Sequence, residues 1–183
     1  LAGLLLPAVL YGWAGNLALL GEWWHIVTSS TAPNLLGGDN VSLASMWAKW
    51  IGPGTLATVL AATSVILLLA VAATMWRQRK RVLEPDYTEF AFLLLLIPLI
   101  SPQGWDYVLL LGTPAVVCVI DRWRELLLPW RVASGAALAV MGFSMFDLMG
   151  RAAYGQFMAW SVVTVCAIVL AATLAQIRLR ALA

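Results

Sequence analysis

Read for apolar and polar positions, the chain divides into six apolar segments: Leu1 to Ala14, Thr55 to Trp76, Phe90 to Ile100, Tyr107 to Ile120, Val132 to Phe146 and Phe157 to Gln176. Runs of this length and composition predict helices, and their number predicts an all-α, polytopic transmembrane bundle. Two of the runs are short. Phe90 to Ile100 is eleven residues, roughly 16 Å as a helix, and Trp105 to Ile120 is sixteen, roughly 24 Å, against a hydrocarbon core about 30 Å thick. Glu84, Asp86 and Glu89 are expected to stay near water and so to mark the lower limit of the first run.

Between the short runs stands Ile100-Ser101-Pro102-Gln103-Gly104-Trp105-Asp106-Tyr107. Pro102 has no N–H and disfavours helix at Ser101, and Gly104 adds backbone freedom, so the helix must break there. Irregular backbone at membrane depth is tolerated only where protein buries it or where it lines a watery cavity. The hairpin is therefore a candidate floor for a substrate vestibule; the competing reading is a short tilted hairpin with an exposed turn.

Basic residues set the expected orientation. Arg77, Arg79, Lys80, Arg81, Arg122, Arg124, Arg131, Arg178 and Arg180 fall in alternate connections, leaving Lys49 and Arg151 for the others. By the positive-inside rule 77–89, 121–131 and 177–183 are cytoplasmic, 15–54, 101–106 and 147–156 face outward, and the C-terminus lies inside. The long outer connection is expected to hug the membrane. Leu17, Leu20, Trp24 and Val27 share a helical face, and Trp23, Trp24, Trp47 and Trp50 suit the headgroup level. Thr31-Ala32-Pro33-Asn34 and Gly37-Gly38-Asp39-Asn40 read as turns, after which Ser42 caps a short helix through Trp50 that Gly52-Pro53 ends.

Composition agrees with a membrane protein: 62% hydrophobic and 11% charged residues, with a mean hydropathy of +0.89. The net charge of +2 and the lack of basic residues interleaved with stacking aromatics exclude nucleic acid as an expected partner. Cys118 and Cys166 each sit in an apolar run and read as small hydrophobes. Leu1-Ala2-Gly3-Leu4 begins inside an apolar segment with no basic leader, so the chain reads as one domain at the C-terminal end of a larger membrane protein.

Few side chains offer chemistry. Asp106, beside a helix start, either caps that helix or competes with an anionic ligand for its N–H groups. Asp147 and Arg151, four apart, either pair on one helix face or free Arg151 to bind an anionic headgroup or phosphate in the vestibule. His25 is the only histidine and has no second ligand at metal spacing. Asn40-Val41-Ser42 matches a glycosylation acceptor triplet. Trp47, Trp50, Trp105, Tyr107 and Tyr154 read as interface anchors, some placed to stack on a sugar or line a lipid groove.

Two of these segments carry a resemblance. Asp39-Asn40-Val41-Ser42-Leu43 before a Trp-containing helix, and Leu99-Ile100-Ser101-Pro102-Gln103-Gly104-Trp105-Asp106-Tyr107 opening a span with Thr113-Pro114, resemble the C-terminal half of glycosyltransferase family 87. Members of that family, also described as domain of unknown function 2029 proteins, resemble polyprenyl-phosphate-mannose-dependent mannosyltransferases of the C-type fold. The resemblance implies transfer of a hexose from a polyprenyl-phosphate donor to an acceptor at the outer face of a bacterial-type inner membrane. It implies a donor pocket bordered by Ser101, Gln103, Trp105 and Tyr107, with Asn40 and Ser42 nearby and Asp106 as a polar contact. The implied partners are membrane lipids, the lipid-linked sugar and the N-terminal half, where the family's catalytic carboxylate lies; without that half no transfer is expected. No cofactor is evident, and a divalent metal is left open. Many family members carry one or two histidines after the tryptophan of the Ser-Pro turn, where this chain has Tyr107 and Val108, so a donor-phosphate or catalytic role tied to those histidines does not carry over. The rival readings are a small-molecule or lipid transporter and a non-catalytic membrane subunit. The purely apolar middles of the second and sixth segments weigh against an ion path.

Overall fold

The computed structural model describes residues 5–82 and 85–180. Among them the chain is helical, with one isolated antiparallel bridge between Asn40 and Trp105 in place of a sheet. Glu84, the start of the first expected segment, 1–4, and the end of the last expected cytoplasmic connection, 181–183, lie outside the described residues. The chain groups into two compact units, 1–35 and 36–183.

The first unit is α1 (Pro7–Asn34), opened by a proline at its first position and broken into two helical stretches at Gly12, where φ is 70° and ψ 173°. The break at Gly12 lies two residues before the expected end of the first segment at Ala14, and a separate helical stretch follows it. Gly15 and Asn16 lower hydropathy without breaking the backbone ladder, and the break falls instead at Gly12. Thr31 to Asn34 also continue the helix rather than turning. The Ser30 and Thr31 hydroxyls donate back to the Val27 carbonyl at 3.3 and 2.7 Å, and Pro33 lies in the last turn.

The second unit contains α2 (Leu43–Ile51), α3 (Thr55–Arg77), α4 (Asp86–Ile100), α5 (Thr113–Asp121), α6 (Leu128–Phe143), α7 (Phe146–Ala159) and α8 (Val162–Arg180), joined in part by 3₁₀ turns. Ser42 caps α2, accepting from the Ser45 N–H at 3.1 Å, and Gly52, at φ 83°, ends it. Helices α3 and α8 are long and apolar enough to cross a membrane, and α6 with α7 would make a third span but for a 107° bend between them. Helices α4 and α5 fall short of a full crossing. The segment expected to be helical from Tyr107 opens as a 3₁₀ stretch, Asp106–Gly112, and becomes α-helix only at Thr113. Because a 3₁₀ residue rises about 2.0 Å against 1.5 Å in an α-helix, the segment covers roughly 28 Å.

Helix α8 is the hub, in contact with α3, α4, α5, α6 and α7. Its Ala167, Ala171, Leu170 and Leu174 bury against Phe92, Leu95 and Leu99 of α4 and Ala115, Cys118 and Val119 of α5. Alanines at this seam let the backbones approach, as helix pairs in lipid require. Both cysteines are buried and unpaired. Ser134 of α6 and Thr173 of α8 join through their hydroxyls at 2.8 Å, and Trp47 of α2 donates its indole N–H to Ser64 of α3 at 3.0 Å.

At the far end of the bundle Glu89 is buried, 7% exposed, a correction to the expectation that it faces water. Arg178, 2% exposed, makes that possible. Its Nε and Nη2 donate to Glu89 Oε1 at 3.2 and 2.9 Å, and Nη2 also donates to the Met75 carbonyl at 3.1 Å. With its charge matched inside the bundle, Glu89 lets α4 bury from Thr88 onward.

Candidate functional site

The two loops that stood out in the sequence are fastened to each other. The Val41 N–H donates to the Gly104 carbonyl at 2.7 Å, and the Asp106 N–H to the Asp39 carbonyl at 2.9 Å. Asn40, 2% exposed, completes the clamp: its Nδ2 donates to the Pro102 carbonyl at 2.9 Å, and its Oδ1 accepts from the Ser42 N–H at 3.0 Å. Thr164 of α8 donates its hydroxyl to the Val41 carbonyl at 2.9 Å. The Pro102 and Gly104 carbonyls and the Asp106 N–H at the break therefore find partners inside protein.

Gly104 is required by closeness. A Cβ there would lie 2.0 Å from the Pro98 carbonyl oxygen and 3.3 Å from Ser42 Cβ. Lys49 of α2 holds the other side of the loop, donating to the carbonyls of Gly38 (3.2 Å), Asn40 (2.9 Å) and Met158 (3.3 Å). Burial pushes its ammonium below the ordinary lysine range, partly opposed by the Asp39 carboxylate. Trp50 donates its indole N–H to the Trp160 carbonyl at 3.0 Å. Together they secure the corner between α7 and α8, where Ser161 holds φ 54°.

Beside this clamp opens a cavity of about 590 Å³, within the size range of small-molecule sites. The 3₁₀ stretch forms one wall, presenting Leu109 and Leu110, and Met141 and Met158 stand among the residues opposite. Its polar groups include Asp106, Tyr107 and Tyr154. Asp106 Oδ1 accepts the Tyr107 N–H at 2.7 Å and Oδ2 the Tyr154 hydroxyl at 3.5 Å. Phe146 packs edge-on against the Tyr154 ring at 5.7 Å between centroids, which fixes the phenol.

Of the residues expected to form a site, Asp106 and Tyr107 line this cavity. Asn40 and Ser42 stand behind it, buried, with their polar atoms holding the turn; so placed, the Asn40 amide is not accessible as a glycosylation acceptor. Ser101 ends α4, its N–H donating to the Ile97 carbonyl at 3.0 Å, and Gln103 accepts the Trp105 N–H on its backbone at 3.2 Å. Ser101, Gln103 and Trp105 border the turn without lining the cavity. Arg151 is exposed on α7 and also lies outside the lining. The expected Asp147–Arg151 pairing is absent among the described residues, because Gly150, at φ 73° and ψ 162°, turns the backbone between them.

No family model, curated protein or solved structure matches this chain. Among the described residues no group of three or more His, Cys, Asp or Glu side chains is arranged to hold a metal ion. Sequence reasoning grouped Tyr154 with the interface anchors, and nothing in its spacing pairs it with Asp106, 48 residues away. Lys49 was legible only as an exception to the charge asymmetry.

Proposed function

We propose that this chain forms the donor-binding part of a membrane hexosyltransferase that uses a polyprenyl-phosphate-linked sugar, mannose by the family resemblance. One observation carries the reading: beside the clamp between 39–42 and 101–106, the carboxylate of Asp106 and the phenols of Tyr107 and Tyr154 stand among the polar lining of a cavity whose walls are otherwise largely apolar. An apolar wall suits the greasy carrier, and Asp106 and Tyr154 suit sugar hydroxyls, with the carboxylate accepting and the phenol donating or accepting. In this reading the clamp lies at the outer face of a bacterial-type inner membrane and the C-terminus is cytoplasmic, in keeping with the distribution of basic residues. The general base that activates the acceptor lies in an upstream part of the protein, and no catalytic role is assigned to residues of this chain.

The test is retention of a radiolabelled polyprenyl-phosphate hexose by the purified chain in detergent. Met141→Trp, which fills the cavity, and Asp106→Asn, which removes the carboxylate, are expected to lower retention; Arg151→Gln is expected to leave it unchanged. Undiminished retention by both cavity variants overturns the reading.

A further inference from the structure

A second hollow, remote from the clamp, lies between α3, α4, α6 and α8 near the end where α8 finishes and α6 begins. It is an open trough of about 510 Å³ whose apolar walls include Leu68, Val71 and Trp130, with Ala172 among the small residues of α8. Two polar side chains of α8, Gln176 and Arg180, stand at one end. Both amide atoms of Gln176 are buried and find no hydrogen-bond partner among the described residues. A buried amide in this state is costly, and an occupant of the trough that offers it an acceptor and a donor would relieve that cost. Arg180 spends one Nη1 bond on the Glu125 carbonyl at 3.2 Å and is otherwise exposed. The nearby Glu125 carboxylate lies 3.7 Å from Arg122, which offsets its charge, and Arg124 and Arg131 add positive charge to the same end.

We propose that this trough binds an anionic phosphoglyceride, with one acyl chain along α8 and the headgroup at Gln176 and Arg180. The phosphate offers acceptors to the Arg180 guanidinium and, once the Gln176 side chain turns its closed-off amide into the trough, to Nε2, while a headgroup hydroxyl offers a donor to Oε1. A transmembrane helix in the same place would fill the apolar wall, but its backbone groups are already bonded internally and leave the amide unserved. Charge complementarity favours an anionic lipid over a zwitterionic one.

The experiment is native mass spectrometry of the purified full chain, incubated with phosphatidylglycerol or phosphatidylcholine of the same acyl composition. Retention of phosphatidylglycerol is expected to exceed that of phosphatidylcholine. Arg180→Gln is expected to weaken it about fivefold, the effect of one basic residue near a lipid surface. Gln176→Leu is expected to reduce the headgroup preference and Ala172→Trp to abolish retention of either lipid. Arg151→Gln, at a site outside the trough, should retain lipid like the unmodified chain. Equal retention of the two lipids, or no loss in Arg180→Gln, overturns the proposal. So does a dimer that Ala172→Trp dissociates, which would place a second copy in the trough.

Discussion

Asn40 and Pro102, 62 residues apart in sequence, are joined by a side-chain hydrogen bond of 2.9 Å in which the amide Nδ2 donates to the proline carbonyl. The partner is apt, because the break at Pro102 frees carbonyls that no helix can satisfy. Asn40→Leu strands that carbonyl and the Ser42 N–H together, and the expected loss is about 1–3 kcal/mol of stability. Thermal unfolding in mild detergent checks it. A midpoint equal to that of the unmodified chain would show that the two loops are held together by backbone pairing alone.

Gly104→Ala is expected to be the harsher change. The new methyl would meet a backbone oxygen at 2.0 Å, and the Pro98 carbonyl cannot rotate out of the way. Loss of at least about 3 kcal/mol is expected, at the upper end for overpacking. Gly112→Ala is the control, because its Cβ would meet only the Leu95 Cδ1 methyl, at 3.0 Å. If the two variants unfold at the same temperature, closeness at residue 104 is not what requires glycine.

Glu89→Gln leaves Arg178 buried with an uncompensated charge, at an expected cost of about 3–5 kcal/mol. The double variant Glu89→Leu, Arg178→Met removes both charges and is expected to recover much of that loss. Comparing the unfolding free energies of Glu89→Leu, Arg178→Met, the double variant and the unmodified chain measures the coupling. Additive single effects would mean that the pair contributes no specific interaction.

The lowered ammonium pKa of Lys49 fixes the sign of one pH effect. Between that lowered value and the ordinary 10.5, the unfolded chain holds the proton more tightly than the folded one, so this group's contribution to stability rises with pH through that window. Relative to Lys49→Met, the unmodified chain is expected to gain in thermal midpoint as the pH is raised from about 8 to 10. A difference that shrinks instead would show that the three carbonyls hold the ammonium charged more strongly than burial opposes it.

Local chemistry was legible where it depends on one or two residues. Ser42 reads as a cap and is one; Gly52-Pro53 reads as a stop and Gly52 ends the helix; Ser101-Pro102 reads as a break and α4 ends there. Apolar runs located α3, which extends one residue past its expected end. Hydropathy set the first break at Ala14, two residues past the one at Gly12, and could not show that the helix beyond it continues through Thr31 to Asn34. It could not show α7 as a helix either, because Asp147, Gly150 and Arg151 look like a loop on an outer surface. Glu89 and Arg178, 89 residues apart, each resemble a surface charge until the fold brings them together. The Asp106–Tyr154 contact is of the same kind, set by tertiary geometry rather than by spacing.

The tight winding of residues 106–112 fixes how far the chain reaches. Wound as ordinary α-helix, the same seven residues would be about 3.5 Å shorter, from the difference in rise per residue. With Gly112 packed against Leu95, Asp106 would then fall short of the Asp39 carbonyl it now meets at 2.9 Å. The strand-like tether and the stretched coil beneath it thus constitute a single mechanical element, and slack in either one draws the carboxylate away from the tyrosine that accompanies it.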